Sequence, residues 1–582
     1  MKDIDGGLEE LFTELGNLEK VKLLNNFEKQ KFDFSAESIV WEIDTEIDSD
    51  FKCIELQFHI LFSKDFPLDF PKIYLSPSSF ETIGYIPHID TKKFICTFDT
   101  EIASTNPDEP FGVIKACLKR AKEIVSNGIS GQNHNDYNEE FIAYWEGKYH
   151  KKDKYPERIL SIIDKIENKE NLKLICLKDK LNSYSYVLHD GNQSANRFKK
   201  FLKDNKLKFH ERQLLYIKEL KLNNKPPFDI KNKDVLKFFN DDETFESFVE
   251  YINKPSFIKL VLTSKDIKGQ EFLFGWFHND LNTHVKGFRR SPFKPFDALK
   301  GAKSNLNVQR ITTNRFTENR IENRTSGGVN LEDKFSFVIA GIGSVGSNLF
   351  YYLNSLNFPE FKLIDSDILS LENIGRHFLG FNFIGNYKTK SLQDYAVQSN
   401  PIQSILTKEE SIVNILKTNP KYINDSDYLF VAIGKLNIEK YIGKALDNGL
   451  LKIPTFFLWV EPYLCGGHCL YIDPKNSNYF DFFENDLFRY NVISNKEYIN
   501  NNTKLSLKEA GCQTSYVPYS ASSLVGFLSA VFPFVTSIIN ANDGISKSIT
   551  WIGDTENIIN LNIELSDMGK SHNNGEVIEK KI

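Results

Sequence analysis

The stretch Phe335-Ser336-Phe337-Val338-Ile339-Ala340-Gly341-Ile342-Gly343-Ser344-Val345-Gly346 is a short apolar run that feeds directly into Gly-x-Gly-x-x-Gly. Leu349, Tyr352 and Leu353 follow at helical spacing, so the segment reads as buried strand, tight turn and helix. Glycines at 341, 343 and 346 permit the turn and a close backbone approach, and the helix start offers N–H groups and a positive dipole end to a phosphate. A second strand, Lys362-Leu363-Ile364, ends at Asp365, placed where a carboxylate meets a ribose hydroxyl. These residues predict an open α/β sheet that binds a mononucleotide or a dinucleotide.

The chain around this segment has 582 residues, roughly four domains' worth of length. Lys+Arg is 72 against Asp+Glu 78, a net charge of −6, which gives no global field for a polyanion and argues against direct nucleic-acid binding. With 41% hydrophobic and 26% charged residues, the composition is that of a globular protein. Seven scattered cysteines are too few for a disulfide framework and point to a reducing cytoplasm. Met1 to Asp5 carries mixed charge, so no secretory signal is expected. Leu524 to Ile539 is short for a membrane span and reads as a buried helix broken near Pro533.

Upstream, Leu8, Leu11, Phe12, Leu15 and Leu18 predict an amphipathic helix. Ile39-Trp41-Ile43 and Ile54-Leu56-Phe58-Ile60-Phe62 alternate as antiparallel strands do, and a helix is expected from about Gly112 to Ser126. Asn127 to Glu140 reads as a linker or long loop. Pro156 to about Pro295 mixes basic helical patterns, as in Arg197 to Leu220, with short strands such as Ile258 to Leu262; it carries no chemical motif and reads as a connecting α+β domain. The resulting expectation is α/β and α+β multidomain: 1–150, 151–300 and 301–582, with the last boundary in the polar stretch Asp297 to Asn330.

After Asp365-Ser366-Asp367 come Asn373-Ile374-Gly375-Arg376 and Gly385-Asn386-Tyr387-Lys388. In this order and spacing the segment resembles the ThiF/MoeB adenylating family, which includes ubiquitin-activating enzymes. The resemblance implies ATP and Mg²⁺, with Asp365 on the ribose and Asn373, Arg376 and Lys388 gripping phosphates while a carboxylate attacks the α-phosphate. Fixed cationic donors suit the charge that develops there. Gly434 stands where the family carries a metal-binding Asp, so either another carboxylate, such as Asp367 or Glu439, or ATP and water hold the metal.

Cys512, in Ala510-Gly511-Cys512-Gln513-Thr514, resembles the catalytic-cysteine loop of activating enzymes, where a thiolate takes an acyl group from an adenylate. Cys465 and Cys469 flank Gly466-Gly467-His468 without the second ligand pair that structural zinc requires. His468 is expected near the nucleotide or acyl group. In the first 150 residues, the order helix, strand meander, Pro-rich turn, His88-Ile89-Asp90 and Ile95-Cys96 resembles ubiquitin-conjugating enzymes, with Tyr144-Trp145 marking the exit from the domain. By that resemblance Cys96 carries a thioester and His88 supports its loop, while Asp90 replaces the usual Asn. The whole resembles the fused ubiquitin-activating and ubiquitin-conjugating enzymes of bacterial type II CBASS antiphage operons. That resemblance implies action on a protein with a C-terminal Gly, a cGAS/DncV-like nucleotidyltransferase; the adenylating family implies a homodimer, and the shortness of Leu524 to Ile539 argues against a membrane partner. A sulfur-carrier activator would use the same nucleotide site without needing the first 150 residues, a nicotinamide dehydrogenase would leave Arg376 and Lys388 idle, and a scaffold binding ubiquitin-like tails would tolerate loss of both cysteines.

Overall fold

The computed structural model describes the chain except residues 1, 50–51, 150–153, 164–171, 256–257, 280, 282–293, 326–333, 357, 477–478, 509–514, 542–543 and 582. It is a mixed α/β and α+β protein whose chain divides into two compact units, 1–190 with 209–315, and 191–208 with 316–582. Cys512 lies outside the described residues.

The first unit contains two sheets. Its N-terminal sheet is an antiparallel meander of Lys20–Leu23, Ile39–Ser49, Lys52–Phe62, Lys72–Leu75 and Phe94–Ile95. The predicted alternation places Trp41, Ile43, Leu56, Phe58, Ile60 and Phe62 in one core, which Ile47 extends. Onto that face pack the opening helix Lys2–Gly16, through Leu8 and Leu15, and helix Pro110–Ser130, through Ile114, Cys117, Leu118 and Ala121. Burying such side chains contributes about 1.5–3 kcal/mol each before the entropy of ordering is counted.

The second sheet runs, in spatial order, Leu215–Tyr216, Leu260–Ile267, Gln270–Phe277, Gln309–Arg315, Glu157–Ser161, Tyr184–His189, Lys173–Leu181 and Phe209–Gln213. The helical reading of Arg197 to Leu220 holds only for Gln193–Asp204; Phe209–Gln213 then pairs with Lys173–Leu181 as a strand. Nor is Asn127 to Glu140 a linker. Helix Pro110–Ser130 runs into it and ends on Gly131 at φ 82°, and short helices Asp136–Glu139 and Phe141–Glu146 follow. Phe141 and Trp145 are fully buried among Phe228 and Phe274, and the Trp145 indole N–H donates to Ile311 O at 2.8 Å. Polar composition misled there because Tyr137 inside the stretch and Phe141 and Trp145 just beyond it enter one buried aromatic core.

The C-terminal sheet has the order Ile405–Lys408, Glu360–Ile364, Ser336–Ala340, Tyr428–Val431, Thr455–Val460, Gly466–Ile472, Lys547–Ile552 and Val577–Lys581. Its first five strands are parallel and the rest antiparallel. Order reverses between Ser336–Ala340 and Tyr428–Val431, and such a switch opens a crevice at the carboxyl ends of the strands. Helix Ala521–Ala541 continues through Pro533 instead of breaking there. Leu524, Phe527 and Val531 before the proline and Val535, Ile538 and Ile539 after it enter the same core, so burial on both sides outweighs one missing N–H. This is the one helix among the described residues long and apolar enough to cross a membrane.

Truncating Trp145 tests whether Phe141–Glu146 is core. Trp145→Ala is expected to cost about 3–5 kcal/mol, read as an earlier denaturant midpoint; a surface linker residue would move it by less than about 0.5 kcal/mol.

Candidate active site

The switch point brings two backbone turns together. Gly341 leaves its strand at φ 90°, and a Cβ there would lie 2.6 Å from Ala432 O. A Cβ on Gly346 would meet Gly341 O at 1.9 Å. Gly343, the N-cap of helix Ser344–Leu353, has open space where its Cβ would be. A side chain at 341 or 346 would collide with the backbone, whereas at 343 it would fill the space in front of the helix start.

Asp365 braces the turn. Its Oδ2 accepts the Ile342 N–H at 2.6 Å and its Oδ1 the Asp367 N–H at 2.8 Å. Burial pushes its carboxyl up, while those N–H groups and the Lys388 charge oppose the shift. Lys388 opens helix Lys388–Ser399, is buried along its stem, and pairs with the exposed Asp367 carboxylate at 3.1 Å. These residues surround a cavity of about 150 Å³ lined by Gly341, Gly343, Asp365, Asp367, Lys388 and Lys435.

A second cavity, of about 540 Å³, also reaches Gly343, Ala432 and Ile433. Leu458, Trp459, Phe483, Phe488, Val517 and Tyr519 give it largely apolar walls, and among the described residues no lysine or arginine lines it. Arg376 donates to Val517 O at 3.1 Å and lies 4.8 Å from the Tyr519 ring centroid. Asn373 accepts through Oδ1 from the Ser370 N–H and hydroxyl, at 3.0 and 3.2 Å, so that oxygen shapes its own turn.

His377, which the sequence reading passed over, ties these parts together. Its Nε2–H donates to Ile342 O at 2.9 Å and its Nδ1 accepts the Leu379 N–H at 3.0 Å. Burial lowers its pKa to about 4, so the neutral tautomer holds the Gly-rich loop. Its place directly after Asn-x-x-Arg was the available signal. His468 lies fully buried between Glu461 Oε1 at 2.8 Å and Thr550 Oγ1 at 3.0 Å instead of facing a cavity. Cys465 and Cys469 are buried, and no cluster of three or more metal-ligating side chains occurs among the described residues. Glu439 is buried with its Oε1 accepting the Gly434 N–H at 2.9 Å, and burial pushes its pKa up to about 7.

In the first unit, Cys96 is exposed and its N–H donates to His88 O at 2.9 Å. Partial burial, then the charges of Glu140, Asp99 and Asp90, push its thiol up. Asp90 Oδ1 accepts the Lys92 and Phe94 N–H groups at 2.8 and 2.9 Å and so closes its turn. His88 faces Glu140 through Nδ1 at 2.6 Å and Asp136 through Nε2 at 2.9 Å, pairings that push its pKa up.

Gly341→Ala is expected to abolish nucleotide binding, measured by calorimetry, because strained φ and the Ala432 clash act together. Glu439 keeps its proton when folded at pH values where the unfolded chain has lost it. Stability therefore falls as pH rises from the ordinary glutamate range to about 7. Glu439→Gln is expected to flatten that limb in denaturant titrations repeated across pH.

Residues 23–154 match the sequence model of Prokaryotic E2 family B, and residues 325–543 match that of the ThiF family. Among solved structures, selenomethionine PaaA is 18% identical over 45% of this chain and 75% of its own, with a TM-score of 0.32. E. coli MccB with succinimide is 14% identical over 45% and 66%, with a TM-score of 0.29. E. coli MccB with AMPCPP and selenomethionine MccA is 13% identical over 45% and 65%, with a TM-score of 0.28. No curated protein matches. The chain thus combines an E2-like N-terminal region with a ThiF-like C-terminal region.

Proposed function

We propose that this chain activates the C-terminal glycine carboxylate of a protein with ATP, relays the acyl group from Cys512 to Cys96, and conjugates it to a target amine. One observation carries the reading. Gly343, at a helix N-terminus, lines both the small polar cavity holding Asp365 and Lys388 and the larger apolar cavity beside Arg376. A triphosphate on the polar side and an extended tail on the apolar side would come together at that glycine.

The donor set suits a nucleoside triphosphate. The Gly341–Gly346 turn and the first N–H groups of helix Ser344–Leu353 face phosphate, Asp365 retains lone pairs for a ribose hydroxyl, and Lys388 and Arg376 supply fixed positive charge. The carboxylate oxygen attacks the α-phosphorus and pyrophosphate departs. The Cys512 thiolate then attacks the acyl carbon and AMP leaves. Cys96 displaces Cys512 by thioester exchange, and an uncharged amine attacks the Cys96 thioester to give an amide and a free thiol. Asp367, exposed beside Lys388, is the carboxylate assigned to Mg²⁺ in this reading, with phosphate and water as its other oxygens, since Glu439 is buried and turned onto Gly434.

The cGAS/DncV-like nucleotidyltransferase partner, the antiphage role, the cytoplasmic setting and the domain limits 1–150, 151–300 and 301–582 belong to the same proposal. Homodimerisation has support in the exposed apolar residues Ile368, Leu371, Ile374 and Phe381 around the Asn373–Arg376 turn, an uncommon concentration for a free surface.

Intact-mass spectrometry without reductant, with Mg-ATP and a Gly-terminated cGAS/DncV-like protein, tests the relay. Wild type and Cys96→Ala are expected to carry a thiol-labile adduct and Cys512→Ala none. Arg376→Ala should slow pyrophosphate exchange by about 100-fold or more. AMP formation without any adduct would leave simple adenylation and remove the relay.

A further inference from the structure

Two faces of one short segment serve different parts of the first unit. Phe141 and Trp145 stack at 5.8 Å inside the aromatic core beneath the second sheet. Glu140 and Tyr144 turn toward the Cys96 loop instead. Glu140 Oε2 accepts the His88 N–H at 3.0 Å and the Tyr144 hydroxyl at 2.6 Å, while Glu140 Oε1 faces His88 Nδ1 at 2.6 Å. The Tyr144 hydroxyl oxygen also accepts the His88 N–H, at 2.8 Å, and Asp136 takes the far side of the ring.

His88 sits at φ 65°, a left-handed conformation that a non-glycine residue keeps only where surrounding contacts impose it. From that conformation its carbonyl accepts the Cys96 N–H, and the neighbouring Ile89 and Ile95 form a β-bridge with both side chains fully buried. The backbone of Cys96 is therefore set by His88, and His88 is held mainly by Glu140.

We propose that Glu140 is a positioning residue for Cys96, fixing His88 so that the thiol is presented for acyl transfer, and that through Tyr144 and Trp145 the second sheet serves as the platform for this loop. The inference rests on the reading of Cys96 as the thioester carrier. Glu140 also places negative charge near the thiol, so the same residue that orients the nucleophile restrains its ionisation.

Site-resolved iodoacetamide labelling of the full chain across pH, with exposed Cys53 as internal reference, combined with acyl-transfer rates, tests the proposal. Glu140→Gln is expected to shift the Cys96 labelling profile to lower pH and raise its labelling several-fold near neutrality, with Cys53 unchanged. Acyl transfer onto Cys96 should nevertheless fall about tenfold or more. Tyr144→Phe removes one partner of the His88 N–H and leaves the Glu140 charge in place, so it should lower acyl transfer by less without moving the labelling profile to lower pH, and it serves if Glu140→Gln does not fold. An unshifted Glu140→Gln profile, or an undiminished transfer rate in either variant, overturns the proposal. If Cys96→Ala leaves conjugation intact, the carrier reading fails, and with it the role of Glu140 in transfer, while the labelling profile still reports its hold on the loop.

Discussion

The closeness of Gly341 to the carbonyl of Ala432 governs the C-terminal unit. Two parallel strands end side by side where strand order reverses, and their loops depart in opposite directions. The contact leaves no room for a side chain, and a Cβ at 341 would lie 2.6 Å from that oxygen. Because the turns nest, the start of helix Ser344–Leu353 sits at the mouth of the crevice. Both cavities meet there, and Asp365, His377 and Asn348 hold the arrangement through bonds to Ile342, Ser344 and Arg376.

The E2-like region solves a different problem. In the proposed relay Cys96 must be exposed to partners, so the fold cannot fix it by burial. Cys96 is fixed instead through its backbone, by a carbonyl whose owner, His88, is held between carboxylates from a segment 48 to 52 residues away. Glu140 and Asp136 order the loop, while partial burial and then the charges of Glu140, Asp99 and Asp90 disfavour the thiolate, so the geometry favours orientation over spontaneous reactivity. Such a thiol suits an acyl group that arrives already activated.

What could be read in advance follows from range. The Gly-rich turn and the strand ending at Asp365 were legible because strand, turn and helix periods are local, whereas Lys388 was reached only through family resemblance. The meander was legible because one buried face enforces the alternation Ile39-Trp41-Ile43 and Ile54-Leu56-Phe58-Ile60-Phe62, although Val40 and His59 on the other face are buried as well. His377 and Glu140 were not, because each acts through hydrogen bonds 35 and 52 residues distant in sequence. Asn127 to Glu140 was misread because its polar residues are anchored by Tyr137 within it and the aromatics just beyond it, and Pro533 because tertiary burial overrode a local helix breaker. Cys512 lies outside the described residues, and its role stands on sequence resemblance.

The most direct test of the account is ATP–pyrophosphate exchange driven by a synthetic peptide copying a Gly-terminated tail, compared with the same peptide amidated at its C-terminus. The account predicts exchange with the free carboxylate and none with the amide or without peptide. Equal exchange in all three cases would contradict the meeting of tail and triphosphate at Gly343.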